Sequence, residues 1–167
     1  MKNRFDVVVA ALVLFLAVVL PQGVCAQKGH MSVIGIEGES LSGSCLGCIE
    51  ILTVTESQVK GERSVVVTKL IDRSSIEWRI LSATGDTLPE VTIQFYTGGE
   101  INFKFWEMKL VDVTVKSVIM KALTGESKPE EKIELVPGRI LWTYVPQKAD
   151  GTMGTEVTDS FDYKTDK

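Results

Sequence analysis

Few side chains in this sequence have the types and spacing that chemistry requires. Cys45 and Cys48 are spaced C-x-x-C, and that spacing has three readings. A thioredoxin-like redox pair wants a helix after the second cysteine, whereas Ile49-Glu50-Ile51-Leu52-Thr53-Val54 follows and reads as a strand. Half of a zinc site wants further thiol or imidazole ligands, and no second C-x-x-C exists and His30 is the only histidine. A local disulfide, or two quiet thiols at a turn, needs nothing more, and export to an oxidising compartment points to a Cys45–Cys48 bridge. A Ser-His-acid centre needs a histidine held by a third group; His30 lies in a polar lead-in and is expected to be solvated. Paired carboxylates cleave glycosidic bonds when an apolar setting raises one of them. Glu37 with Glu39, and Glu130 with Glu131, lie in polar sequence and read as surface residues. Trp78, Trp106 and Trp142 read as core or interface residues rather than a sugar-stacking platform. Gly98-Gly99 and Gly151-x-x-Gly154 are turn glycines, with neither a P-loop nor a dinucleotide fingerprint. No catalytic residue, cofactor-binding residue or metal ligand is assigned, and the protein does not read as an enzyme.

The elements that would position these residues begin after a leader. Lys2 and Arg4 form a basic start, Val7 to Leu20 is an unbroken apolar run, Pro21 ends it, and Val24-Cys25-Ala26 is a small-residue cleavage pattern. Those are the features of a secretory signal peptide over residues 1–26, and the run is short of the roughly 20 apolar residues that span a membrane. The formal charge is −4 for the 167 residues, and removing Lys2, Arg4 and Asp6 leaves the remainder near −5. A mildly acidic chain has no electrostatic footprint for nucleic acid or an anionic membrane. Residues 27–167 are long enough for one domain with a proper core.

Within that region, period-2 alternation dominates. Strands are expected from Ser32 to Ile36, Ile49 to Thr55, Val65 to about Ile71, and Val91 to Tyr96. A long run from Ile101 to about Leu123 changes phase, which implies bulges or burial on both faces. Further strands are expected over Ile133 to Tyr144, interrupted at Pro137-Gly138, and over Val157 to Tyr163. Gly38 to Gly47, Lys60 to Arg63, Thr124 to Glu130 and Gln147 to Gly154 read as loops or turns, and Gly98-Gly99 as a hairpin signal. One helix is expected over Asp72 to Gly85, with Ser74 and Glu77 at capping-box spacing, Ile76, Ile80 and Ala83 on its apolar face, Trp78 at the rim, and Gly85 as its stop. Many strands and one helix argue for a mainly β fold, an antiparallel β-barrel or two packed sheets with one short flanking α-helix.

Several stretches, in order, resemble the haemolysin-coregulated protein family of type VI secretion systems. Gly35-Ile36-Glu37-Gly38-Glu39-Ser40 is similar to the end of that family's first strand and the turn after it. Val67-Thr68-Lys69-Leu70-Ile71-Asp72-Arg73-Ser74-Ser75 is similar to the segment where a strand hands over to the single helix. Phe103 to Val118 resembles the long apolar strand. Trp142-Thr143-Tyr144-Val145-Pro146-Gln147-Lys148-Ala149-Asp150-Gly151 resembles the aromatic strand with its P-Q-K-A-D-G exit. The resemblance covers nearly all of Met31 to Tyr163. It implies a compact β-barrel that joins edge to edge into a homo-hexameric ring. It also implies rings stacking into a tube, spike and sheath components as partners, and small effector proteins carried in the ring lumen. A secreted or periplasmic β-barrel binding module on the same fold is the alternative from another class. Export through the leader implies a periplasmic or secreted protein, whereas a start at Met31 implies a cytoplasmic one exported by the type VI system.

Overall fold

The computed structural model describes residues 27–59, 62–98, 102–122, 124–125 and 128–165. The leader over residues 1–26, the Lys60-Gly61 turn and Gly99 of the hairpin pair lie outside the described residues. Nine strands and one helix follow in the order β1 (Lys28–Val33), β2 (Ile49–Ile51), β3 (Thr53–Val59), β4 (Glu62–Leu70), α1 (Ser75–Thr84), β5 (Thr87–Tyr96), β6 (Lys104–Lys121), β7 (Glu130–Val136), β8 (Arg139–Tyr144) and β9 (Val157–Asp162). All pairings are antiparallel.

The long strand β6 organises the rest. One of its edges takes β5, and the other takes β8 over Trp106 to Val111 and β7 over Thr114 to Lys121. The sheet therefore branches at β6. One branch runs β2-β1-β5-β6-β8-β9 and the other β6-β7-β4-β3. Both bury the same core: Met31, Ile49, Ile93, Leu110 and Ile140 from the first branch meet Val65, Val67, Ile133 and Leu135 from the second. Each such side chain contributes about 1.5–3 kcal/mol when fully removed from water.

The expected phase change in β6 has a local cause. Met108 and Leu110 face the core on one parity, and Val113 and Val115 face it on the other. Between them Asp112 has φ 53°, a left-handed conformation uncommon outside glycine. The β5 ladder passes from Leu88↔Val113 to Glu90↔Val111 around Pro89, whose nitrogen has no hydrogen to donate. Gly138 N–H donates to the carbonyls of Val111 and Asp112 at 2.9 and 3.0 Å, so the Pro137-Gly138 bend fits the irregular step. A further register shift lies between Val115 and Ser117, and the segment after it is a bent continuation of the same strand.

The sheet is not a closed barrel, which corrects that part of the expectation. The run from Ile49 to Val59 changes partners at Leu52: β2 pairs with β1 and β3 pairs with β4. The two ends of the hydrogen-bonded path thus meet through one chain segment rather than through a ladder. Leu52 N–H donates to Thr68 O at 2.7 Å at that junction.

Two further expectations are corrected. The segment Lys28 to Met31 is not a lead-in but part of β1, placed between β2 and β5. The helix presents the opposite face to the one its apolar pattern suggests. Ser75 and Trp78 are buried, whereas Ile76 and Ile80 are 67% and 48% exposed. Its stop is as expected, with Gly85 at φ 76° and its N–H on Leu81 O.

Candidate functional site

The residues with chemical potential fall into four separate places. His30 is 2% exposed, contrary to the expected solvated position. Its neighbours across the ladder are Glu50 and Gln94, and its ring meets Tyr96 edge-on at 5.7 Å. Its Nδ1 is buried without a hydrogen-bond partner. Burial pushes the imidazole below its ordinary range, Lys28 pushes the same way and Glu50 opposes them. No serine or cysteine is hydrogen-bonded to it among the described residues, so it has the geometry of a packed neutral ring rather than of a base.

Cys45 and Cys48 sit at a turn in the loop between β1 and β2, with Cα atoms 5.5 Å apart and their sulfurs in bonding contact. The loop folds tightly onto itself. Gly38 N–H donates to Gly47 O, and Ser40 N–H donates to Cys48 O. A side chain at Gly38 would meet Cys48 backbone atoms, so only glycine fits there. Leu41 and Leu46 on this loop are 87% and 77% exposed. Glu37 and Glu39 are surface residues here, as expected, paired with Arg73 at 3.2 Å and Lys128 at 3.5 Å.

The third place is a buried ion cluster under the helix. Lys69 and Glu131 are both fully buried, which corrects the surface reading of Glu131. They are opposite each other in the β4–β7 ladder, with Lys69 Nζ 2.8 Å from Glu131 Oε1. Lys69 Nζ also donates to Asp72 Oδ1 at 2.7 Å, Leu70 O at 3.0 Å and Ser75 Oγ at 3.1 Å. Ser75 Oγ donates to Glu131 Oε1 at 2.6 Å, and Arg79 Nη1 donates to Glu131 Oε2 at 2.9 Å. Two cations face two carboxylates, and the cluster ties the first turns of α1 to β4 and β7. Asp72, not a capping box, starts the helix: its Oδ1 accepts from Ser74 N and Ser74 Oγ, while Ser74 Oγ accepts from Trp78 Nε1 at 3.2 Å. The signal for this cluster was in the alternation. Lys69 shares parity with Val65 and Val67, and Glu131 with Ile133 and Leu135.

The fourth place is a shallow cleft at one end of the core, lined by Glu56, Gln58, Trp106 and Trp142. Trp78 alone of the three tryptophans is fully buried. Beside this cleft, β9 pairs only with β8 and leaves its other edge unpaired among the described strands. Val157 on β9 and its ladder partner Tyr144 are 63% and 44% exposed.

Among the described residues, no group of three or more His, Cys, Asp or Glu side chains could hold a metal ion. Among them, no helix is long and apolar enough to cross a membrane.

Comparison with known proteins gives a consistent result. The family described as "Type VI secretion system effector, Hcp" matches residues 23–144. Among solved structures, Hcp1 from Salmonella typhimurium is 23% identical with a TM-score of 0.77, covering 85% of this chain and 98% of that one. A type VI secretion system effector from Yersinia pestis is 20% identical with a TM-score of 0.69, covering 80% of this chain and 98% of that one. The secreted protein Hcp3 from Pseudomonas aeruginosa is 17% identical with a TM-score of 0.64, covering 83% of this chain and 99% of that one. At these identities the likeness shows a shared fold. No curated protein matches the chain by sequence.

Proposed function

Because the chain belongs to the Hcp family of type VI secretion proteins, we propose that it is a structural tube component that assembles edge to edge into a homo-hexameric ring. The observation that carries this reading is the unpaired edge of β9, flanked by exposed Val157 and Tyr144. A strand edge with free N–H and C=O groups is a template for a neighbouring chain, and cyclic closure uses such edges up without leaving a sticky end. Stacked rings would give a tube, with spike and sheath components as partners and small effector proteins in the lumen. The role is not enzymatic. The scaffold and its edges carry it, and the ion cluster beneath α1 ties the helix to β4 and β7.

Residues 1–26 are proposed as a leader removed on export, leaving a chain that starts at Gln27 immediately before β1. In an oxidising compartment Cys45 and Cys48 then form a bridge. Native mass spectrometry and negative-stain imaging of the mature chain test the assembly. A six-fold mass with ring-shaped particles is expected. A species that stays monomeric across concentrations contradicts it.

A further inference from the structure

We propose that the cleft formed by Trp106 and Trp142 against Glu56 and Gln58 binds an uncharged sugar ring of an oligosaccharide. The cleft follows from strand parity. On β6 and β8 the ladder partners Leu110↔Ile140, Met108↔Trp142 and Trp106↔Tyr144 lead outward from the core in that order. Leu110 and Ile140 are fully buried, whereas Tyr144 is 44% exposed. Across the interior, β3 runs outward on one parity through Val54, Glu56 and Gln58, and Val54 packs on the core. The space between the two branches thus ends in an aromatic wall facing a polar one.

The chemistry of the two walls is that of a sugar site. A pyranose ring has an apolar C–H face that lies on an aromatic ring and a rim of hydroxyls that wants directed hydrogen bonds. Trp106 and Trp142, which the sequence places in core or interface rather than on a sugar platform, are only half-buried and line the cleft, where they supply rigid aromatic surface. Glu56 supplies a carboxylate, an acceptor with about four lone-pair sites. Two of these are used within the cleft, by Trp142 Nε1 at 3.2 Å on Oε2 and by Gln58 Nε2 on Oε1. The remaining acceptor capacity of Glu56 and the Gln58 carbonyl oxygen stand free for hydroxyl donors. A purely apolar ligand would strip water from Glu56 without replacing its hydrogen bonds, at a cost of about 1–3 kcal/mol.

The charge of the cleft lining narrows the ligand class. Arg63, the ladder partner of Gln58, lies with its guanidinium 5.0 Å from the centre of the Tyr163 ring. Arg63 is thus engaged with Tyr163. Among the described residues the cleft lining itself holds one carboxylate, Glu56, and no cation, which disfavours an anion, and Glu56 is already engaged by Trp142 and Gln58. The cleft is shallow and does not enclose its lining, so it suits a surface-lying sugar rather than an enclosed small molecule.

The test uses the mature protein in its native assembly, with 5-fluorotryptophan in place of the three tryptophans. Chitotetraose, cellotetraose and maltotetraose are titrated to about 10 mM, and fluorine NMR reads each tryptophan separately. At least one of these probes is expected to move the Trp106 and Trp142 signals saturably while the signal of buried Trp78 stays still. Trp142→Ala and Glu56→Ala are expected to weaken that binding ten-fold or more, with an unmoved Trp78 signal showing that the fold is kept. The proposal is overturned if none of the three sugars shifts Trp106 or Trp142, if Trp78 moves equally, or if either variant binds as the parent does. It is also overturned if a neighbouring subunit or a bound peptide is found covering both tryptophans. Native mass on the same sample reports the ring independently, so failure here and failure of the ring are distinguishable.

Discussion

Replacing Lys69 by methionine removes a cation from a place water does not reach. Lys69 and Glu131 are both fully buried and 2.8 Å apart. At an effective dielectric of about 20 such a pair attracts by about 6 kcal/mol, and holding each ion out of water costs several kcal/mol. The intact pair is therefore near balance, but a broken pair keeps the desolvation cost and loses the attraction, which typically costs about 3–5 kcal/mol. The two single variants differ in what remains. Lys69→Met leaves Glu131 with Arg79, which is 40% exposed and 2.9 Å away, so its cost falls at about 3 kcal/mol, the lower end of that range. Glu131→Leu leaves Lys69 with Asp72 at 2.7 Å and frees Arg79 to turn towards water. The double variant leaves no unpaired ion at the buried ladder position. It should cost less than the two singles together by at least about 2 kcal/mol, within the coupling range of contacting residues. Urea unfolding at one fixed protein concentration, low enough to keep the chain unassembled, measures all four proteins without the mass-action contribution of assembly. Against a total stability of about 5–15 kcal/mol, each single variant shifts the midpoint visibly. Singles costing under about 1 kcal/mol, or a double equal to their sum, would refute the reasoning.

The helix orientation makes a second prediction. Trp78→Ala should cost about 3–5 kcal/mol, whereas Ile76→Ala and Ile80→Ala should leave the unassembled chain within about 0.5 kcal/mol of the parent; the reverse order in thermal denaturation would restore the apolar-face reading. Because burial holds His30 below its unfolded value near 6.5, its contribution to stability is full above that value and declines as pH falls through the folded value. The urea midpoint should thus drop between pH 7.5 and 5, and His30→Phe, which keeps a ring against Tyr96, should flatten that slope; an unchanged slope counts against the assignment. For the cysteines, thiol counting of denatured, unreduced mature protein should find neither Cys45 nor Cys48 free, and two reactive thiols would rule the proposed bridge out.

Much of this architecture was legible because strands advertise themselves by alternation. Val65 and Val67, Val91 and Ile93, and Ile133 and Leu135 mark core faces that the structure keeps. The phase change in β6 was visible too, although its cause, a left-handed Asp112 beside Pro89 and Gly138, is a tertiary arrangement that no short window contains. The helix misled because Ile76 and Ile80 form a convincing apolar pair. In the structure Ser75 lies within the ion cluster and Trp78 is buried on the same side of the helix. Lys69 and Glu131 carry charge that argues for the surface, whereas their strand parity with Val65, Val67, Ile133 and Leu135 places both inside. His30 gave no signal, since its burial depends on β2 and β5 flanking β1, and β2 is brought there by the tight loop at Gly38. Trp106 and Trp142 followed the alternation correctly, but whether the core extends far enough to cover them depends on where the two sheet branches end.

The central claim is that this Hcp-family chain is a ring-building subunit. The native mass of the mature protein, followed over a dilution series, tests it most directly. A hexameric mass that persists until dilution separates it into single chains is the predicted result. A single-chain mass at every concentration, with the fold intact by circular dichroism, would contradict it.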